Sequence, residues 1–227
     1  QSSILIIYGN DNKIAVCGNR SYYGDKDTIE AHENVVSVVS NIGAYTILKY
    51  DGTIHSFGLS QYRTGFPSSN TNFKNIYSGV GIFVGIKNNN TAVIWGRNTY
   101  GYNDTNEEYN IVENVKDVYF NGDNDNGSIL LVKNDDSNIV LRGTPDFWNK
   151  QINIDIPSNS VSKVFTNVGA YFIVTTDNKL HVYGKKYYSK GYQGPIDLPQ
   201  SGLYTNDYNL ENKFNIDFEH YLDQLNS

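Results

Sequence analysis

The chain has 227 residues, with 24 acidic against 18 basic side chains and a net charge of −6. That balance argues against a nucleic-acid or anionic-membrane surface, which needs clustered Lys and Arg, and no apolar run approaches the roughly 20 residues of a spanning helix. A single cysteine, Cys17, excludes an internal disulfide, and the absence of methionine suits a processed chain or a piece of a longer one.

The chain opens on SILIIYGNDNKIAVCG (Ser3 to Gly18), two short apolar runs joined by a polar turn and closed by glycine. The construction returns as GAYTILKYDGTIHSFG (Gly43 to Gly58), GIFVGIKNNNTAVIWG (Gly81 to Gly96) and GAYFIVTTDNKLHVYG (Gly169 to Gly184), and one residue longer as GSILLVKNDDSNIVLRG (Gly127 to Gly143). In the first copy Ser3 is expected to stand for the opening glycine. A fixed internal period decides the fold before any single element does. Each later copy is preceded by a third apolar run: VVSVVSNIG from Val35, FKNIYSGVG from Phe73, VKDVYFNG from Val115 and VSKVFTNVG from Val161. The fourth copy then inserts Asp123 to Asn126. Runs rich in Val, Ile, Tyr and Phe between Gly, Asn and Asp read as strands. Asp51-Gly52, Asn88 to Asn90, Asp135-Asp136 and Asp177-Asn178 sit where tight hairpins need residues tolerant of positive φ. The general abundance of asparagine and tyrosine reads as compositional bias.

After each closing glycine comes a variable segment: NRSYYGD, LSQYRTG, RNTYGYND, TPDFWNK and KKYYSKG. A fourth, outer strand or a long loop fits there. The closing glycines recur at intervals of 40, 38, 47 and 41 residues, and three or four antiparallel strands per repeat make one propeller blade. The fold class is therefore all-β: a β-propeller of about five blades over residues 1–191, either a closed five-bladed ring or part of a seven-bladed one. Residues 192–227 form a C-terminal segment with a loop, the alternating run KFNIDF as a candidate ring-closing strand, and a short helix on Phe218, Tyr221, Leu222 and Leu225.

The stretch VVSVVSNIGAYTILKYDGTIHSFG, with VIWGRNTYG from Val93 to Gly101, resembles the regulator-of-chromosome-condensation repeat. The resemblance runs over about residues 3–191, and the compact repeat length is similar to that of bacterial β-lactamase inhibitory proteins built from the same unit. It implies a propeller and protein partners. The histidine usual after the first Gly-Ala is replaced here by Tyr45, Phe83, Ile129 and Tyr171, and five copies are visible where the family's ring implies seven.

Catalytic chemistry finds little support. His55 and His181 share one repeat position on different blades, and His32 and His220 stand alone. Cys17 has no neighbouring base and reads as a small buried hydrophobe. The insert Asn121 to Gly127 lacks the ligand spacing of a calcium loop, so no metal, cofactor or catalytic residue is expected. Asn19, Asn89, Asn103 and Asn126 begin N-x-S/T sequons, of consequence only in a secreted protein. The informative set is the aromatics of the variable segments: Tyr22, Tyr23, Tyr62, Tyr100, Tyr102, Phe147, Trp148, Tyr187 and Tyr188. Tyrosine and tryptophan bury large area at low rotamer cost and keep a polar handle. They are expected either to cap the blades or to form a face for a protein partner, as in an inhibitor or an assembly component. Guanine-nucleotide exchange on a small GTPase and lectin-like sugar binding are the alternatives.

Overall fold

The computed structural model describes residues 3–20, 26–97, 110–123, 126–143, 152–167, 170–177, 179–184 and 204–209. Their strands fall into five antiparallel meanders taken in chain order. The first blade is β1 (Ser3–Tyr8) and β2 (Lys13–Gly18); the second is β3 (Val35–Ser40), β4 (Ala44–Lys49) and β5 (Ile54–Gly58). The third is β6 (Phe73–Gly79), β7 (Ile82–Lys87), β8 (Ala92–Gly96) and β9 (Ile111–Val112). The fourth is β10 (Val115–Asp123), β11 (Asn126–Lys133), β12 (Asn138–Gly143) and β13 (Ile152–Pro157), and the fifth β14 (Val161–Thr166), β15 (Ala170–Thr175), β16 (Lys179–Gly184) and β17 (Tyr204–Asn209). This is the expected propeller architecture.

Four hydrophobic clusters lie between the blades, one at each junction. Ile14, Val16, Val35 and Ile47 join the first blade to the second. Ala44, Leu48, Phe83 and Trp95 join the second to the third; Ile82, Val84, Ile129 and Leu131 the third to the fourth; Leu130, Val132, Tyr171 and Ile173 the fourth to the fifth. Successive residues of one strand therefore face opposite neighbours, Phe83 backwards and Val84 forwards. That is why these strands are apolar at consecutive positions instead of alternating.

The junctions are also braced by backbone. Val35 N–H donates to the Asn12 carbonyl at 3.0 Å, Phe73 N–H to Gly52 at 2.9 Å and Val115 N–H to Asn90 at 2.8 Å, so each hairpin tip holds the first residue of the next blade. The acceptors Asn12, Gly52 and Asn90 all have positive φ, as do Asn34, Asn72 and Asn114 directly before β3, β6 and β10. Among the described residues every non-glycine position with positive φ is an asparagine, the side chain that tolerates that region best. These five asparagines thus have a structural role. Each inner strand also carries the same one-residue slip against its partner after its first pair, at Val35/Ser37, Phe73/Asn75, Val115/Asp117 and Val161/Lys163.

The outer edge is closed in three ways. Blades three to five use a fourth strand. In the second blade Asn70 does the pairing alone: its carbonyl accepts from Ile54 N–H at 2.8 Å and its Nδ2 donates to the Ile54 carbonyl at 3.0 Å. In the first, the short helix Lys26–Glu30 lies on β2, burying Ile29 and presenting Glu30 Oε1 to Val16 N–H at 3.1 Å.

Three details differ from the sequence reading. Ser3 pairs with Gly18 in the register of Ala44 with Gly58 and Ser128 with Gly143, so it occupies the place after the opening glycine, and the first copy is one residue longer than assumed. The insert in the fourth copy prolongs a hairpin, pairing Gly122 with Gly127 and Asp123 with Asn126. The last blade's outer strand β17 lies beyond residue 191, where the repeat pattern stops. KFNIDF and the C-terminal helix lie outside the described residues.

Candidate interaction face

The closing glycines define one end of the blades. Gly18, Gly58 and Gly96 all have positive φ. At Gly96 any side chain would meet the Gly81 carbonyl, since an added Cβ would lie 2.3 Å from that oxygen. In the second and third blades the residue after the closing glycine then ties back to the opening one: Leu59 N–H donates to the Gly43 carbonyl at 2.9 Å and Arg97 N–H to Gly81 at 2.8 Å. The chain is thereby delivered to this end as the variable segment. Asn41 shapes the same end, its Oδ1 accepting from Gly43 N–H and Ala44 N–H at 3.0 and 2.8 Å. Asn167 repeats this on Ala170 N–H at 2.7 Å.

Tyr62 is the member of the aromatic set that falls within the described residues; it is only 8% exposed. Its ring lies flat over Gly43, where a Cβ would be 2.4 Å from Cδ2, and its carbonyl accepts from Asn41 Nδ2 at 3.0 Å. The Arg97 guanidinium, from the next blade, sits 5.3 Å from the ring centroid, and Gly96 N–H donates to the Thr64 carbonyl at 2.9 Å. The variable segment of the second blade is thus laced to the root of the third one's. Tyr62 caps the junction and helps fix the position of the segments around it. Tyr22, Tyr23, Tyr100, Tyr102, Phe147, Trp148, Tyr187 and Tyr188 lie outside the described residues.

Two residues set aside by sequence reasoning stand elsewhere than expected. His32 does not stand alone: its ring is 4.3 Å from that of His55 and 5.2 Å from Phe57, joining the segment after the Lys26–Glu30 helix to β5. Burial holds both imidazoles below their ordinary pKa; the His55 ring and Lys49 add to this at His32, and Lys49 does so at His55, against Asp51. No spacing rule could have paired them, because they meet only when the helix folds onto the blade. Cys17 is exposed, not buried.

The junctions also carry polar pairs. The Tyr45 hydroxyl reaches back one blade to the Ser3 carbonyl, with Ser3 Oγ 2.7 Å away. Tyr171 does the same to Ser128 Oγ at 3.0 Å, and Ser128 donates onward to Asn121 Oδ1. Burial raises the Tyr171 hydroxyl pKa far above the usual range and pushes that of Tyr183 up to about 12, so both stay neutral. Among the described residues no group of three or more His, Cys, Asp or Glu could hold a metal ion, and no helix is long and apolar enough to cross a membrane.

This architecture is shared with solved propellers. Prp20p of Saccharomyces cerevisiae matches with a TM-score of 0.51 at 14% identity, over 86% of this chain and 59% of that one. Human WBSCR16 matches with 0.50 at 14%, over 82% and 60%. The ectodomain of the Physcomitrella patens receptor kinase CR4 matches with 0.50 at 13%, over 81% and 50%. No family model matches the sequence, nor does any curated protein. The chain is a β-propeller of repeated antiparallel blades. Its fold is that of the regulator-of-chromosome-condensation propellers, of whose length it spans three-fifths or less.

Proposed function

We propose that the chain is a non-catalytic interaction module that holds a protein partner on the loop face built by its variable segments, in an inhibitory or assembly role. The observation that carries this reading is the lacing of one variable segment to the next blade through Tyr62, Arg97 and Thr64. A face that is ordered before binding loses less entropy on association. The aromatics Tyr22, Tyr23, Tyr62, Tyr100, Tyr102, Trp148, Tyr187 and Tyr188 supply the anchors in this reading. The fold is compatible with such a role: the solved relative Prp20p is described by its binding to Gsp1p and histones.

The test is affinity capture with the 227-residue chain against a Tyr22→Ala/Tyr100→Ala/Tyr187→Ala variant of unchanged circular dichroism. Loss of a stoichiometric partner in the variant supports the loop face, and the partner's nature separates inhibitor, assembly component and exchange factor. Equal capture by both chains sinks the site assignment.

A further inference from the structure

The pair His32 and His55 serves neither the repeat nor the loop face. Its two members come from different elements, and backbone bonds hold each in place. His32 follows the Lys26–Glu30 helix, where Ala31 N–H donates to the Asp27 carbonyl and His32 N–H to that of Ile29, both at 3.1 Å. Two residues on, Asn34 N–H donates to the Asp11 carbonyl and the Asn34 carbonyl accepts from Tyr50 N–H, both at 2.8 Å. The segment is thus tied to the first and second blades at once. His55 lies within β5 and pairs with Ile47 of β4. Side chains on such supports can keep a ligand geometry without being ordered by the ligand.

The two ring centroids are 4.3 Å apart and the rings are splayed by 41°. An imidazole nitrogen binds a cation at about 2.0–2.1 Å, which puts the ring centre roughly 3.2 Å from the ion. Two imidazoles at a right angle around one ion then have centres about 4.5 Å apart, and two at the tetrahedral angle about 5.2 Å. The observed spacing fits the right angle, the cis arrangement of tetragonal Cu(II) or Ni(II) and not that of tetrahedral Zn(II).

The surroundings agree with a cation. Among the described residues no hydrogen bond engages a ring nitrogen of either histidine. Both side chains are half-buried, so water can reach the pair. Phe57 lies 5.2 Å from His32 and, nearly parallel, 6.5 Å from His55, an apolar wall on one side. Burial favours the neutral imidazole, the form that a cation needs. Lys49 is the charge that opposes a cation here, and Asp51 is the one that favours it. Among the described residues no third His, Cys, Asp or Glu completes a metal-binding group.

We propose that His32 and His55 form a two-imidazole site for a divalent transition cation of tetragonal preference, nickel or copper, with water on the remaining positions. The bound ion clamps the segment after the helix to β5, across the first junction. The site is independent of the loop-face reading and stands if that reading fails.

The test titrates nickel chloride calorimetrically into the metal-free 227-residue chain. The expected result is saturable binding of one ion per chain, with a urea midpoint that rises with nickel concentration. His32→Gln and His55→Gln should each weaken binding by at least about tenfold, a loss that even the outer partners of metal ligands can cause. His181→Gln and His220→Gln should leave it unchanged. On the unmodified chain, paramagnetic nickel should broaden the ring C–H signals of His32 and His55 ahead of those of His181 and His220. That measurement decides the matter should a variant lose its β spectrum. The absence of saturable binding up to about 1 mM nickel overturns the proposal. So does binding that survives either substitution, which would place the ion on other donors and leave the two rings in plain contact.

Discussion

The strands β1 and β11 share the run SIL, from Ser3 and from Ser128, and occupy the same place in their blades. Yet Ile129 and Leu131 of β11 are fully buried while Ile4 and Ile6 of β1 are largely exposed. The difference lies in the neighbours and not in the strands, because among the described residues the fourth blade has a blade on each side and the first has one. In a propeller the stabilising unit is thus the junction between blades, and a residue's worth depends on whether its junction is occupied.

The largest effect should come from truncating equivalent residues across that divide. Leu131→Ala opens a cavity in a packed junction and is expected to cost about 2–5 kcal/mol. Ile6→Ala, at the same place on the first blade, is expected to stay within about 0.5 kcal/mol. Urea unfolding of both variants measures it, and a comparable loss at Ile6 would mean that the first blade's face is covered in solution. The glycines make the second contrast. Gly96→Ala forces a Cβ against the Gly81 carbonyl at φ +144 and is expected to lose on the order of 3 kcal/mol. Gly9→Ala, at φ +73 with nothing within 4 Å, bears only left-handed strain of about 1 kcal/mol.

The same contrast separates what was legible in the sequence from what was not. The strands, the hairpin turns at Asp51-Gly52 and Asn88 to Asn90, and the glycine positions were readable, because they are local requirements repeated at a fixed period. Consecutive apolar residues announced burial on both faces. What lay outside reach depended on which element covers which. The exposure of Cys17 follows from a bare junction. The His32–His55 contact follows from a helix that replaces an outer strand, and the outer strand β17 comes after a long departure from the period. The one-residue shift of Ser3 had a signal in hand, since SIL recurs at Ser128 directly after Gly127. The loop face remained an inference from aromatic content, because its residues share no fixed spacing within the variable segments.

A smaller effect tests the polar junctions against each other. Tyr171→Phe removes a buried hydroxyl that contacts Ser128, while Ser128 still donates to Asn121. About 1 kcal/mol should be lost. Tyr45→Phe removes the equivalent contact with Ser3 at a half-buried junction, and the loss should be no more than about 0.5 kcal/mol. If the two substitutions cost the same, the first junction is as dry as the fourth, and the gradient from a bare first blade to a sealed interior does not exist.

The smallest and most conditional effect is on pH, and it also falls on the first junction. Burial disfavours the charged imidazoles of His32 and His55, and the two rings would repel if both were protonated. Their folded pKa values lie below the ordinary 6.5, so between those values and 6.5 the unfolded chain binds more protons. Stability is therefore complete above 6.5 and is lost as the pH falls through the lowered folded values, with Lys49 reinforcing the effect and Asp51 opposing it at His55. Urea midpoints measured from about pH 8 to about pH 5, where the carboxylates remain charged, should fall on acidification. His32→Leu should flatten part of that slope, the remainder coming from the half-buried His55. An unchanged slope in His32→Leu would show that the helix segment does not hold the ring against His55 in solution, and that the first junction is looser than its buried Ile14, Val16 and Ile29 imply.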